Sequence, residues 1–164
     1  MKPATANRTT YALLGLILLA GCQEPAPWAQ LGPSFVSSDT PSAGKALVYI
    51  YWPAESLGNA KRAWITPSEQ VIEEILKGGF LSIEVAPGTT SLSVEILWNL
   101  TFGHSFATQD CGGVRLNARR REVLYLKMEE RTKAGFTRFD FREVEPAAAA
   151  AEIKKCRRMV SPPG

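Results

Sequence analysis

Histidine and cysteine are scarce in this sequence, and their scarcity excludes several kinds of site at the outset. The 164 residues include one histidine, His104, and three cysteines, Cys22, Cys111 and Cys156. Four-cysteine zinc sites and histidine-rich metal sites therefore cannot be built from this chain. The sequence also lacks a P-loop, a dinucleotide-binding glycine motif and a G-x-S-x-G nucleophile elbow. We therefore predict no cofactor, no metal site and no set of catalytic residues.

An excess of charge of one sign is also missing. The chain has 19 Lys and Arg residues against 16 Asp and Glu residues, for a formal net charge of +3. Nucleic-acid-binding domains usually carry a strongly basic surface, so we expect no nucleic-acid partner. The hydrophobic fraction of 45% and the charged fraction of 21% are typical of a globular protein.

The N-terminal segment contains an uncharged run, from Tyr11 to Ala20, behind a short basic start. A helix that crosses a membrane needs roughly 20 apolar residues, so this run is too short to span a bilayer. It has the length of the hydrophobic region of a signal peptide, and small residues follow it. We expect residues 1–21 to be a signal peptide that is removed by cleavage between Gly21 and Cys22.

The tetrapeptide Leu19-Ala20-Gly21-Cys22 resembles the lipobox of bacterial lipoprotein precursors. The resemblance implies that the Cys22 thiol receives a covalent acyl lipid and that the chain is cut just before it. Two or three acyl chains anchor a protein stably, whereas one chain binds a membrane only marginally. Gln23 follows, and not the Asp that retains lipoproteins at the inner membrane in the Gram-negative sorting pattern. The resemblance therefore implies a lipid-anchored envelope protein and favours the outer membrane, facing the periplasm.

Residues 22–43 have the composition of a linker, with several prolines and serines. We expect them to form a lipid-anchored tether that holds the folded domain clear of the headgroups. Trp28, Leu31, Phe35 and Val36 interrupt this pattern. These side chains either pack onto the domain as a strap or meet a partner, and the strap is the simpler interpretation.

From residue 44 onwards the sequence predicts strands. Residues 45–52 are apolar on both faces, which is typical of a central strand covered on both sides. Alternating runs over 81–85 and 92–98 flank Pro87-Gly88, and we expect them to pair as a hairpin. Alternation also predicts strands around Val114 and Leu116, around Leu124, Leu126 and Met128, and around Phe139 and Phe141. We therefore expect a mainly β fold, an antiparallel β-sandwich of about six or seven strands with one C-terminal α-helix.

Two segments carry helical signals. Pro146, the alanines after it and the basic residues up to Arg158 predict a helix over 146–158, so that the folded domain spans 44–158. We expect 159–164 to be a disordered tail. Residues 66–77 begin with a capping-box pattern, which locally predicts a helix of two turns, although such short helices are marginal alone.

Two stretches of the domain resemble a known family. GKALVYIYWP at 44–53 and LKGGFLSIEVAPGTTSLSVE at 76–95, together with Cys156-Arg157, resemble the small bacterial lipoproteins grouped as domain of unknown function 2846. The second stretch also resembles PEGA-type β modules. The resemblance implies a strand hairpin at 63–76 and an envelope location, but no activity. Members often carry a histidine where this chain has Thr90, so no role is carried over to that position.

Two cysteines remain once Cys22 is assigned to the lipid. Cys111 and Cys156 form an even pair in an oxidising compartment, and we predict a disulfide that ties the C-terminal helix to the loop before Val114. The alternative is two buried free thiols.

Few residues qualify as catalytic candidates. His104 has Ser105 and Asp110 nearby in sequence, but proximity along the chain does not establish a nucleophilic triad. The adjacent pairs Glu73/Glu74 and Glu129/Glu130 lie in strands, where neighbours point to opposite faces and are unsuited to shared acid–base work. Residues 119–121, Arg-Arg-Arg, predict a basic turn that is either merely solvated or in contact with lipid phosphate or an acidic partner.

We therefore expect a lipid-anchored, non-enzymatic module that binds a protein or glycan partner in the envelope. The alternatives are a cell-envelope hydrolase that uses His104 and a purely structural or stress-related lipoprotein. The aromatic residues either form a binding face or pack in the core, and the core explains most of them better; they are Tyr49, Tyr51, Trp52, Trp64 and Trp98.

Overall fold

The computed structural model describes residues 30–36, 40–68, 73–99, 106–133 and 136–160. The predicted signal peptide, Cys22, Trp28 and His104 lie outside the described residues. Within the described part, the elements are β1 (Gln30–Ser34), β2 (Ala46–Tyr51), β3 (Arg62–Pro67), β4 (Glu73–Leu76), β5 (Gly79–Val85), β6 (Gly88–Asn99), β7 (Phe106–Ala118), β8 (Val123–Lys133), β9 (Phe136–Glu143), α1 (Pro146–Ile153) and β10 (Arg157–Val160).

The strands form two sheets that share one core. A six-stranded sheet has the order β1-β10-β5-β2-β8-β9, and a four-stranded sheet has the order β4-β3-β6-β7. Pairing is antiparallel except between β10 and β5 and between β2 and β8. The predicted mainly β, sandwich-like fold with one C-terminal helix is confirmed, although the described residues hold ten strands, more than the six or seven expected.

Strand β2 lies in the middle of the six-stranded sheet, between β5 and β8. All six of its residues are buried, as expected for a strand that is apolar on both faces. Val48 and Ile50 point into the core between the sheets. Tyr49 and Tyr51 point to the other face, where α1 and the chain after β1 cover them.

The covered outer face of the six-stranded sheet is an aromatic cluster. The Phe35 ring meets Tyr49 edge-on at 5.2 Å and Phe80 at 5.5 Å. From the helix side, α1 contributes Ala149 and Ile153, both fully buried. Phe35 comes directly after β1, so this part of the predicted tether packs against the domain.

The predicted hairpin between 81–85 and 92–98 is wrong. Strand β5 belongs to the six-stranded sheet, whereas β6 belongs to the four-stranded one. The turn at Pro87-Gly88 is therefore an arch that carries the chain from one sheet to the other. The alternation of apolar and polar residues predicts which side chains of a strand face the core. It does not predict the neighbouring strand, because the same alternation is found whichever strand pairs with it.

The predicted helix over 146–158 is too long. Helix α1 ends at Ile153, and the chain turns with the Cys156 N–H donating to the Ile153 carbonyl at 2.9 Å. Residues 157–160 then form β10, which pairs with β5 and β1. Of the basic residues that suggested the helix end, Arg157 and Arg158 thus belong to a strand, whereas Lys154 and Lys155 lie in the turn before it. The first two residues of the expected tail also belong to β10.

Residues 62–76 adopt the strand alternative in the part that the structure describes. Strands β3 and β4 pair antiparallel, with Ala63 opposite Ile75 and Ile65 opposite Glu73. Ala63, Ile65 and Ile75 are fully buried in the core between the sheets. Pairing with β6 on its other side holds β3 extended, and this tertiary pairing overrides the local capping signal.

Candidate functional site

The sandwich has two ends with different chemistry. At one end, the Arg121 N–H donates to the Lys45 carbonyl at 2.7 Å, joining the turn before β8 to the turn before β2. We call this the arginine end and define it by Lys45 and residues 119–122. The opposite end contains the loop 53–60, the last residues of β8 up to Lys133 and the first residue of β9, Phe136, and we call it the hairpin end.

The hairpin end projects beyond the body of the six-stranded sheet. Tyr51, the last residue of β2, pairs with Lys127, and β8 continues to Lys133. At roughly 3.3 Å per residue, these further residues extend about 20 Å. Phe136 at the tip is 71% exposed and Leu57 in the adjoining loop is 85% exposed. Large apolar side chains are thus presented to solvent at this end.

A buried carboxylate holds the loop of the hairpin end in place. Glu130 lies on β8, and its side chain is completely buried. It accepts backbone hydrogen bonds from the Asn59 N–H at 3.0 Å and the Ala60 N–H at 3.1 Å. A Cβ at Gly58 would collide with this carboxylate, and Gly58 has a φ of 106°, a conformation that glycine alone adopts readily.

Lys77 completes this arrangement from the other side. Its Nζ donates to the Gly58 carbonyl at 2.8 Å and lies 3.9 Å from a Glu130 carboxylate oxygen. It also lies 5.7 Å from the ring centre of Trp52, within the range of a cation–π contact. The loop is therefore fixed by charge-assisted contacts as well as by packing, and it presents Leu57 on a rigid support.

The adjacent glutamates point to opposite faces, as predicted. Glu74 and Glu130 are buried, whereas Glu73 is exposed and Glu129 is partly exposed. Glu74 lies 3.6 Å from the Arg62 guanidinium. Its carboxylate therefore forms an ion pair with Arg62 and does not act together with Glu73. Neither pair forms the two-carboxylate arrangement of a general acid and base.

An ion-pair network ties α1 to the six-stranded sheet. The Lys127 Nζ lies 2.8 Å from a Glu152 carboxylate oxygen, and the Tyr51 hydroxyl donates to the same oxygen at 3.3 Å. The hydrogen bond from Lys127 holds the pKa of Glu152 below its ordinary value. Burial, with help from the Glu152 charge, raises the pKa of Tyr51. All these groups are engaged in holding the helix, which indicates a structural role.

Two clefts lie beside the first residues of β8. One has a volume of about 370 Å³ and the other of about 390 Å³, and both are lined by Glu122, Leu124 and Glu143. The second cleft also includes Arg115 and Arg119 from β7 and the turn after it. Of the two, the first is lined by the acids Glu122, Glu143 and Glu145 and by no basic residue, whereas the second has residues of both charges. Both clefts are close to the arginine end.

The three consecutive arginines form an exposed turn, as predicted. Arg121 has a φ of 62°, in the left-handed region, and the Glu122 carboxylate accepts the Arg119 N–H at 2.6 Å. Arg119, Arg120 and Arg121 are all exposed. None of the three guanidinium groups has an ion-pair partner within the described ranges, so their charge faces solvent.

The predicted disulfide is wrong, because Cys111 and Cys156 are free and buried. Cys111 lies in the core between the sheets, whereas Cys156 lies in the aromatic cluster on the outer face. The six-stranded sheet therefore separates the two thiols. Burial raises the pKa of both thiols, and that of Cys156 reaches about 11. Cysteine spacing alone carries no information about the face to which each thiol points.

The residues considered for a nucleophilic triad are described only in part. His104 and Ser105 lie outside the described residues, and the Asp110 carboxylate accepts the Gly112 N–H at 3.0 Å in a bulge of β7. Gly112 has a φ of 117°.

Most of the candidate aromatic residues belong to the core. Tyr49, Tyr51 and Trp52 are buried. Trp64 is partly exposed on β3, and the side chain of Trp98 lies outside the described part. A binding face made of these aromatic residues is therefore not present in the described part of the sheets.

Sequence comparisons give no family for this chain: no protein-family model matches it, and no curated protein matches it. Within the described ranges there is no group of three or more His, Cys, Asp or Glu side chains placed to hold a metal ion. No helix among the described elements is long and apolar enough to span a membrane.

Proposed function

We propose that this protein is a lipid-anchored protein of the bacterial cell envelope, held in the outer membrane by acyl chains on Cys22 and facing the periplasm. It works as a non-enzymatic interaction module for a protein or glycan partner. The observation that carries the anchor is the order of a basic start, a short apolar run and Leu19-Ala20-Gly21-Cys22. The fold then suggests which end of the module faces the membrane.

The direction of β1 supports an anchor at the arginine end. Ser34 pairs with Arg157, and Arg157 pairs in turn with Gly79 at the start of β5. Gln30 pairs with Val160, which lies further along β10. Followed backwards from Ser34, the chain therefore runs toward the end of β5 at Val85. Val85 pairs with Ala46, beside the arginine end. A lipid on Cys22 would place this end toward the membrane.

The hairpin end would then face away from the membrane, where a partner can reach it. Its exposed Phe136 and Leu57 are the kind of apolar side chains that anchor protein interfaces. Phe136 stands on a hairpin whose Arg131 and Arg138 both contact Asp140, at 2.7 Å and 3.6 Å. Ion pairs near a large apolar group favour specific binding to the extent that they reduce the freedom lost on association.

In-cell photo-crosslinking tests the proposed binding role. A photo-reactive amino acid replaces Phe136 in one variant and Thr89, at the arginine end, in a matched control. We expect a reproducible crosslinked protein or glycan from position 136 and not from position 89, identified by mass spectrometry. Identical patterns from the two positions, or no adduct from position 136, would contradict a partner at the hairpin end.

A further inference from the structure

We propose that the arginine end docks on anionic lipid headgroups, so that the domain stands on the membrane in a fixed orientation. This inference rests on the proposed lipid anchor at Cys22, and it adds a second contact with the membrane that the anchor alone does not require. The contact consists of the turn formed by Arg119, Arg120 and Arg121.

The length of chain between the anchor and the domain supports the contact. Eight residue steps separate Cys22 from Gln30, and whatever their conformation they span at most about 28 Å. Gln30 is level with the middle of β5, so about 10 Å of that reach is used to arrive at the end of the sheet. Along the direction of β1, the end of the sheet therefore lies at most roughly 20 Å from the anchored lipid when the segment is fully extended. The arginine turn precedes β8, which is four strands from β1 in the sheet, so it is displaced sideways by about 19 Å.

The local charge at this end fits an anionic surface. The arginine turn is exposed, and the neighbouring arch between β5 and β6, residues 86–89, is uncharged. The Lys45 Nζ lies 3.6 Å from a Glu84 carboxylate oxygen, so this pair adds little net charge. The carboxylate of Glu122 faces back to the Arg119 backbone N–H. The three guanidinium groups thus outnumber the one carboxylate of the turn, that of Glu122.

Two further acids lie near the turn, at different distances from it. Glu143 pairs with Leu126, three residues into β8, which places it about 10 Å from the start of that strand. The Val144 N–H donates to the Tyr125 carbonyl at 2.9 Å, so Glu145 lies nearer the start of β8, where it lines the same cleft as Glu122. At physiological salt the screening length is about 8 Å, so Glu143 has a weak effect on the turn, whereas Glu145 reduces the attraction of the turn to an anionic surface more strongly.

The position of the basic residues, and not their charge alone, identifies the arginine end as the docking surface. Exposed basic residues also occur at the opposite end, among them Lys61, Lys154 and Lys155. These lysines lie on the side of the domain that the chain direction at β1 places away from the anchor. They therefore provide a matched control with the same number of charges.

Energy transfer from the domain to the membrane surface tests the docking. The lipidated protein, labelled with a donor at Thr89→Cys or at Ala54→Cys in the loop of the hairpin end, is reconstituted in phosphatidylcholine vesicles with or without phosphatidylglycerol, each holding a headgroup acceptor. We expect more efficient energy transfer from the donor at position 89 to the headgroup acceptor when phosphatidylglycerol is present. Each arginine favours the docked orientation about fivefold near an anionic surface. The combined variant R119Q/R120Q/R121Q should abolish the increase, and K61Q/K154Q/K155Q should keep it.

The outcomes separate the two proposals. Transfer from position 89 that is the same in both lipid compositions, or an increase that survives R119Q/R120Q/R121Q, overturns the docking while the anchor stands. If K61Q/K154Q/K155Q lost the increase in energy transfer to the same extent as R119Q/R120Q/R121Q, the docking would also be overturned, because the effect would then reflect net charge. Protein that does not float with either kind of vesicle contradicts the anchor at Cys22 and overturns both proposals.

Discussion

Single buried polar residues determine the shape of the exposed surfaces in this protein. Glu130 is the clearest case, because its carboxylate holds two backbone N–H groups of the loop that displays Leu57. The sequence places Glu130 on the buried face of its strand, but it does not show which loop the carboxylate would bind. That contact depends on the arrangement of β2, β8 and the chain after Trp52, which becomes visible only in three dimensions.

Replacement of Glu130 should cost far more stability than replacement of its neighbour. Glu130→Ala leaves two N–H groups unpaired and Lys77 without its counter-charge, so we expect the free energy of unfolding to fall by about 3 kcal/mol. Glu130→Gln keeps an acceptor and should cost about 1–2 kcal/mol. The control Glu129→Ala removes only solvent-facing ion pairs and should change stability by less than about 1 kcal/mol. Urea unfolding of the three variants measures these differences, and equal effects at 129 and 130 would contradict the assigned role.

The two buried thiols predict a specific loss of stability in alkali. Burial raises the pKa of Cys156 to about 11 in the folded protein, whereas an unfolded chain has a thiol pKa of about 8.5. Between these values the unfolded state loses its proton first, so the free energy of unfolding should decrease as the pH rises above 8.5. Urea unfolding between pH 8 and 9.5 should show this decrease, and Cys156→Ala should weaken it. A steeper decrease in the variant would contradict the assignment.

Free thiols also predict the redox behaviour of the folded protein. We expect the mass of the intact chain to be unchanged by reduction, and both thiols to react with iodoacetamide only after unfolding in urea. A mass increase of two hydrogens on reduction would show that Cys111 and Cys156 form a disulfide, which would contradict the free thiols.

At the scale of elements, the sequence identifies strands better than it identifies their partners. The continuous apolar run in β2 predicts a covered central strand, and the structure confirms it. The alternation in β5 and β6 correctly predicts their buried residues, but the two strands pair in different sheets. Strand β10 escapes prediction because its first two residues are basic, which favoured a helix end, and because its pairing with β5 is parallel.

Strand β1 and the residue that follows it show why a linker-like composition can be misleading. Gln30–Ser34 contains glycine and proline, which is unusual in a central strand but tolerated at the edge of a sheet, where β1 lies. The pairing of β1 with β10 positions Phe35 over the aromatic cluster, and the ring is 6% exposed. This part of the chain therefore contributes to the stability of the domain.

Truncation of Phe35 tests whether this strap is part of the fold. Phe35→Ala removes a ring packed on Tyr49 and Phe80, so we expect a loss of about 3 kcal/mol in the free energy of unfolding. The matched control is Val36→Ala, since Val36 is 71% exposed and should change stability by less than about 0.5 kcal/mol. Thermal or urea unfolding measures both. A negligible effect at position 35 would mean that the strap does not stay on the domain in solution.

At the scale of the whole molecule, the fold gives the protein two distinct ends. The arginine end lies where the chain arrives from the N-terminal side, and the hairpin end carries Phe136 and Leu57 on a support fixed by Glu130 and Lys77. An anchor at one end and an apolar contact surface at the other would present that surface to the periplasm. The sequence suggests the anchor, but only the topology shows which end it would hold.

The mass of the mature protein tests the central claim most directly. Protein purified from the membrane fraction should begin at Cys22 and carry the mass of two or three acyl chains, and Cys22→Ser should leave an unacylated precursor. Processing needs the thiol as the lipid acceptor, so the variant should no longer appear as a lipidated membrane protein. A wild-type mass that includes Met1 and no fatty acid would contradict the account.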